Sequence, residues 1–371
     1  MKKVGILTMH KHKNYGSALQ AYATQYVLEK LGVQCEIIDY IYPNGYHGQK
    51  KSIKAKLKSF LLEIYSGFAH KKKGKQFNAF YKDYFKLSKN AYNSPAEILA
   101  NPPAYNTYLV GSDQVWNVRY TKCDRTFFLS FAPKGTKKIS YASSFGKIAA
   151  DDDYLKQAVN DLKDFSAISV REKNAQKIIK NLLKKDVPTC IDPTLLLNKN
   201  EWEKLASQSK LKIDKPFALV YMLNYVYNPY PYANDFVRKV YEETGLHLVL
   251  LLYSVIEQPR LGTKDVTHLH DGIGPCDFLY LFQNASLVIT SSFHGTAFAL
   301  NFEKPFYSLI DNETTLDDRV YSLMQEVGTE NRAVKLNSPI LNISTEMDYT
   351  LISKKIEEKR LFAKKYLKEN I

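Results

Sequence analysis

Short apolar runs alternate with amphipathic stretches along most of the chain, the pattern of an α/β protein. The opening unit sets it. Val4–Met9 (VGILTM) predicts a strand, Asn14-Tyr15-Gly16-Ser17 a turn and Ala18–Leu31 a helix. Within that helix Leu19, Tyr22, Ala23, Tyr26 and Val27 recur at i, i+3, i+4 spacing, and Gly32 stands where a C-cap belongs. Cys35–Ile38 follows as a second strand. A β-loop-α-β opening with small residues in the loop predicts a Rossmann-like half.

Residues 50–90 interrupt the alternation. Ile53, Leu57, Phe60, Leu61 and Ile64 line one face of a predicted helix whose other face is lysine. The next basic stretch, Lys71–Phe85, is rich in aromatics, and together they read as a helical insertion. Strands resume near Thr107–Val110, Lys138–Tyr141, Ala167–Val170 and Thr189–Ile191. A second series has strands at Phe217–Met222, His247–Leu252, Leu287–Thr290 and Phe306–Leu309. Its helices fall near Ala233–Glu243, Cys276–Asn284 and Gly295–Asn301, and Leu351–Lys368 forms a charged amphipathic tail helix. The polar stretch Ser207–Asp214 followed by Lys215-Pro216 marks the change of series. The expected division is therefore a first domain over 1–200 with the insertion at about 50–90, a second over 201–345, and a terminal helix over 346–371.

Composition fits two folded domains: 371 residues, 45% hydrophobic and 24% charged. The four cysteines are far apart, with no CxxC or Cys/His cluster, which argues against a disulfide scaffold or a structural zinc site. No stretch reaches the roughly 18 apolar residues of a membrane span, and a cytoplasmic location is expected. The net charge is +14, yet only 8 of the 52 basic residues are arginine, against the usage of nucleic-acid readers. Between Lys50 and Lys75, nine lysines face one acid, Glu63, for a local net charge of +8. Such a patch is either a solvated face or a surface for acidic partners, the anionic inner leaflet of a membrane among them.

Ligands in open α/β sheets bind beyond the carboxyl ends of the strands. The residues just past each predicted strand are polar, small or ionisable: His10, Asn14 and Gly16; Gly111-Ser112-Asp113-Gln114; Ser143, Ser144 and Gly146; Arg171-Glu172; Asp192-Pro193; and Ser291-Ser292-Phe293-His294-Gly295. Several also have plain structural readings. Asn14-Tyr15-Gly16 suits a turn, Asp113 a helix N-cap, Arg171-Glu172 a surface pair at a helix start, and Asp192-Pro193 an Asx-type turn. His294 stands apart. It lies where a buried strand meets a small-residue helix, where an anion is favoured and an imidazole can move protons near neutral pH. There is no G-x-G-x-x-G, Walker loop, HExxH or G-x-S-x-G. Asp151-Asp152-Asp153 fits a helix start better than a metal pair.

Six segments together resemble the bacterial polysaccharide pyruvyl transferase family. They are KNYGSALQA at Lys13–Ala21, GSDQVWN at Gly111–Asn117, SYASSFG at Ser140–Gly146, VREK at Val170–Lys173, DPT at Asp192–Thr194 and SSFHGTAF at Ser291–Phe298. The resemblance implies a glycosyltransferase-B-like arrangement of two Rossmann-like domains facing across a cleft. It also implies transfer of the pyruvyl group of phosphoenolpyruvate onto two hydroxyls of a sugar, giving a cyclic ketal. The acceptor would be a capsular or exopolysaccharide residue or its lipid-linked precursor. No redox cofactor or obligatory metal is called for. By resemblance His294 takes the proton-transfer role and Arg171 an anion clamp, while Asp113 is, by position, the candidate base or orienting group. Asn14, Gly16, Ser112, Gln114, Ser144, Ser291, Ser292 and Arg319 complete the expected substrate contacts. The family's Arg-x-His pattern here has Ser292 at the arginine position, which leaves the donor's anionic groups to Arg171, Arg319 and backbone N–H groups. Two other functions suit the same architecture: glycosyl transfer from a sugar nucleotide, and non-catalytic glycan binding by some of the 27 tyrosines.

Overall fold

The computed structural model describes residues 3–41, 72–122, 124–146, 153–224, 227–252, 261–270, 272–311 and 319–371. The first domain is built on β1 (Lys3–Leu7), β2 (Gln34–Tyr40), β3 (Leu87–Tyr92), β4 (Thr107–Val110) and β5 (Lys137–Ser140), in the order β3-β2-β1-β4-β5. Every pairing is parallel. Its helices are α1 (Tyr15–Lys30), α2 (72–84), α3 (Pro95–Ala100), α4 (Val118–Thr121), α5 (Asp153–Lys163) and α6 (Lys173–Leu183). The second sheet, also parallel, has β6 (Phe217–Tyr221), β7 (His247–Leu251), β8 (Val266–Leu269), β9 (Leu287–Thr290), β10 (Phe306–Ile310) and β11 (Ala333–Lys335) in the order β11-β10-β9-β6-β7-β8. With it come α7 (Lys199–Ala206), α8 (Tyr232–Thr244), α9 (Pro275–Asn284), α10 (Phe293–Asn301), α11 (Arg319–Val327) and α12 (Thr350–Asn370).

The alternation of side chains along the strands distributes the core. Ile6 and Leu109 in the first sheet, and Leu219 and Val288 in the second, belong to one central cluster shared by both domains. Their neighbours Leu7 and Val110 turn into a cluster confined to the first domain, and Val220 and Ile289 into one confined to the second. Strands buried on both faces read as unbroken apolar runs, which is why they were legible.

Between the sheets, α1 packs against α9 of the second domain. Tyr15 lies stacked on Phe278, ring centroids 4.7 Å apart, and donates a hydrogen bond to the Ile273 carbonyl. Phe77, Phe80 and Tyr81 bury α2 in the same central core. The predicted basic helix Ile53–Ile64 lies outside the described residues. The tail helix α12 runs back over the first domain: Arg360 Nε donates to the Leu195 carbonyl at 2.9 Å and the Tyr366 hydroxyl to that of Ser140 at 3.0 Å.

Three sequence expectations are corrected. The turn at Asn14–Ser17 is the first turn of α1 itself, because the Asn14 side chain accepts the Ser17 N–H and starts the helix three residues early. Ala167–Val170 runs alongside β5 and the residues just after it, and Thr189 alongside Val170, through isolated parallel bridges rather than as strands. Serine hydroxyls take part of that ladder: Ser140 Oγ donates to the Ser169 carbonyl and accepts its N–H, while Ser169 Oγ accepts the Ala142 N–H. Finally, β3, β8 and β11 were missed, and all three are sheet edges. A half-exposed edge strand such as Val266–Leu269 carries no apolar run.

Among the described residues, no helix is long and apolar enough to cross a membrane. The fold predicts that the tail helix is integral to the central core. Leu367 is fully buried there, so Leu367→Ala should cost about 2–5 kcal/mol, read as a lower urea midpoint. A loss under about 1 kcal/mol would show that the helix is only an appendage.

Candidate active site

Four segments, two of them leaving the carboxyl ends of β4 and β9, meet on one carboxylate, that of Asp192. The residue starts a short 3-10 turn (Pro193–Leu195), and its Oδ1 accepts both the Thr194 N–H at 3.0 Å and the Thr194 hydroxyl at 2.8 Å. That is the expected Asx-type turn. The other oxygen does something the turn does not require. Oδ2 accepts the Ser112 hydroxyl at 2.9 Å and Arg171 Nη1 at 2.8 Å, and His294 Nε2 of the second domain stands 3.7 Å away. Asp192 is 1% exposed. Burial works against its charge, but His294, Arg171 and the Thr194 amide outweigh it and hold the carboxyl well below the usual carboxylate range.

Arg171 is hydrogen-bonded through Nη1 alone, with Glu172 Oε2 at 3.8 Å from Nε as a looser ionic neighbour. Its guanidinium carbon sits 4.3 Å from the centroid of the Phe293 ring, which fixes the plane of the group. Nε and Nη2 are buried without a hydrogen-bond partner, and so is His294 Nε2. Buried donors left open cost free energy unless something accepts from them. An anionic ligand is the fitting acceptor.

His294 enters from the first turn of α10, whose N-cap is Ser292. Two glycines make its position possible. A Cβ on Gly16 would stand 2.0 Å from His294 Nδ1, so the first turn of α1 must be bare there. A Cβ on Gly295 would stand 2.2 Å from Thr290 Oγ1, so α10 too must be bare where it leaves β9.

The remaining expected contacts hold the scaffold as much as they line the site. Asn14 caps α1, and Asp113, at φ 71°, accepts the Ser17 hydroxyl at 2.6 Å and the Gln114 N–H at 2.8 Å. Asp113 is thus not a helix N-cap but a tie between the loop after β4 and the first turn of α1. Gln114 accepts from Asn117 Nδ2, and Ser144 Oγ accepts the Gly146 N–H. Ser291 is committed to the end of β6, its hydroxyl donating to the Leu223 carbonyl and accepting the Leu223 N–H. Ser292, as N-cap, accepts the Gly295 N–H at 3.3 Å and supplies no charge in place of the family arginine. His10, between the Thr8 carbonyl and Asp39, belongs to the β1–β2 layer.

Two residues were undervalued by sequence reasoning. Asp192 read as turn chemistry because nothing in Asp-Pro-Thr reveals where its second oxygen points. Glu172 read as half of a surface pair, yet it is 2% exposed and accepts the Phe145 N–H at 3.1 Å. Burial raises its carboxyl above the ordinary range, partly offset by Arg171 and by Arg319, which the fold thereby brings within electrostatic reach of the site. Among the described residues, no group of His, Cys, Asp or Glu has the arrangement to hold a metal ion.

A family model described as polysaccharide pyruvyl transferase matches residues 14–313. Among solved structures, a Methanocaldococcus jannaschii UDP-GlcNAc 2-epimerase in complex with UDP-GlcNAc and UDP is similar at 12% identity, covering 96% of this chain and 99% of its own, with a TM-score of 0.51. A Staphylococcus aureus MnaA–UDP co-structure is similar at 12% identity, covering 98% and 90%, also with a TM-score of 0.51. At such identity these establish the fold: two Rossmann-like domains in the glycosyltransferase-B-like arrangement. No curated protein is similar enough to count as a match.

The Asp192 geometry gives a signed prediction. Asp192→Asn leaves the Arg171 charge buried without its partner and should cost about 3–5 kcal/mol at neutral pH. Because the native carboxyl is held low, its stabilisation is complete above about pH 4–5 and is lost as pH falls through the native value. The gap between wild type and variant in denaturant titrations should therefore narrow below about pH 4. A gap that widens on acidification would contradict the assignment.

Proposed function

The chain belongs to the polysaccharide pyruvyl transferase family, and from that premise we propose that it moves the pyruvyl group of phosphoenolpyruvate onto two hydroxyls of a sugar as a cyclic ketal. The observation that carries the reading is the set of open, buried donors around Asp192: Arg171 Nε and Nη2 and His294 Nε2. Phosphoenolpyruvate carries a carboxylate and a phosphate, and a planar guanidinium fixed against Phe293 suits either by paired hydrogen bonds. With Ser292 spent as an N-cap, Arg171 is the cation that the site offers in place of the family arginine.

Protonated His294 delivers a proton to the methylene carbon, which becomes a methyl group and leaves C2 electrophilic. One sugar hydroxyl forms a bond to C2; the C2–O bond to phosphate breaks; the second hydroxyl forms the other ketal bond. Of the two hydroxyl protons released, one replaces the proton His294 gave and the other leaves with phosphate. Asp192 stabilises the imidazolium and aligns the guanidinium. Asp113 is the candidate to orient or deprotonate an acceptor hydroxyl, since a carboxylate that already accepts two hydrogen bonds retains lone pairs. The acceptor is a capsular or exopolysaccharide residue or its lipid-linked precursor. A cytoplasmic setting, peripheral at the inner leaflet, suits the second case.

Phosphate release from phosphoenolpyruvate plus acceptor glycans tests the reading. His294→Ala and Arg171→Met should each reduce it at least about a hundredfold, and in D2O the ketal methyl should gain one deuterium. Gly16→Ala, which pushes a methyl into the imidazole, should reduce release comparably. Absence of release from the wild type, with thermal stabilisation by a sugar nucleotide instead, would transfer the assignment to glycosyl transfer.

A further inference from the structure

We propose that the outer face of α12 is the surface through which two copies of this chain pair, helix against helix, antiparallel about a two-fold axis. The inner face of the helix, with Ile352, Ile356, Ala363 and Leu367, is buried in the central core. The outer face is not wholly polar. Among the described residues six large apolar side chains stand exposed, and three of them, Leu351, Leu361 and Phe362, are on this one helix. Leu351, Lys355, Glu358 and Phe362 fall at i, i+4, i+7 and i+11, which makes one stripe about 16 Å long. At its ends Leu351 is 70% and Phe362 49% exposed. Beside the stripe lies a groove lined by Lys355, Glu358 and Phe362 and by Pro188 and Ile191 of the first domain.

The charges of the stripe say what covers it. Neighbouring charges of α12 are spent in ion pairs within the chain: Glu357 with Arg360, Lys359 with Glu326 of α11, and Lys365 with Glu369. Lys355 and Glu358 stand one turn apart on the same face, yet neither has an ion-pair partner among the described residues. The Lys355 ammonium lies instead over Gly328, just past α11, where a Cβ would stand 2.6 Å from Nζ.

In a two-fold pair each contact occurs twice, with the roles of the copies exchanged. With the axis between Ile356 and Glu357, Leu351 of one antiparallel helix faces Phe362 of the other, and Lys355 faces Glu358. The stripe is therefore complementary to itself, apolar to apolar and cation to anion. Registers four residues to either side set Lys355 against Phe362 or Leu351 against Glu358, which selects the first. Isolated surface charges are content in water; a free cation and a free anion placed in mirror order between two exposed apolar side chains suit a second copy. A helix pair of this length lies at the low end of specific interfaces, below the roughly 1,600 Å² of a standard one. The pairing is accordingly reversible and depends on concentration.

Sedimentation velocity of the full chain over a concentration series tests this, whatever reaction the protein catalyses. The wild type should pass from monomer to dimer as the concentration rises through the micromolar range. Lys355→Glu makes both facing positions acidic and Glu358→Lys makes both basic, so each should weaken dimerisation at least about tenfold. The double variant Lys355→Glu/Glu358→Lys should restore the dimer, and so should mixing the two single variants, because the antiparallel register pairs the exchanged charges. Both positions are exposed, and thermal melting of the dilute monomers should match that of the wild type. A wild type that stays monomeric into the hundred-micromolar range overturns the proposal. So does a dimer indifferent to both single variants, or one that the charge exchange fails to restore.

Discussion

The buried carboxylate of Asp192 is the constraint on which the arrangement depends. Four hydrogen bonds reach it, from Ser112, Arg171 and two from Thr194, and they tie the loop after β4, the segment after Val170 and the turn at Pro193 to one point. His294 of the other domain completes the ring at 3.7 Å. A charge taken out of water is tolerated only where donors replace its hydration. Here they do so on one side and leave Arg171 and His294 with open nitrogens on the other. The group that neutralises the site thus also aims it.

That point holds still because the domains share a core. The facing sides of both sheets, with α1, α2, α9 and α10 between them, contribute to one cluster, and α12 returns across it to the first domain. Tyr15 and Gly16 sit side by side in the first turn of α1, one stacked on the second domain, the other yielding its side-chain space to His294. The site geometry is therefore a consequence of domain packing as well as of local loop structure.

Much of this was legible in the sequence, for identifiable reasons. Strands buried on both faces announce themselves as apolar runs, and the tail helix by its period. The convergence of small and ionisable residues at strand ends followed from topology alone, and His294 from its place between a buried strand and a small-residue helix. The edge strands β3, β8 and β11 were invisible because their partly exposed residues make no apolar run. Asp192 was visible as a turn residue but not as a hub: the partners of its second oxygen lie 80 and 21 residues away in the chain. Glu172 looked like a surface acid for the same reason. Spacing reports local periodicity, whereas the burial of a charge is decided by segments that spacing does not relate.

We infer that the open donors around Asp192 are the seat of the donor substrate. A structure of the full chain soaked with phosphoenolpyruvate tests it most directly. An anionic group of the ligand is expected within hydrogen-bond distance of Arg171 Nε or Nη2, with His294 beside the methylene carbon. Phosphoenolpyruvate bound elsewhere, with Arg171 and His294 still open, would contradict it.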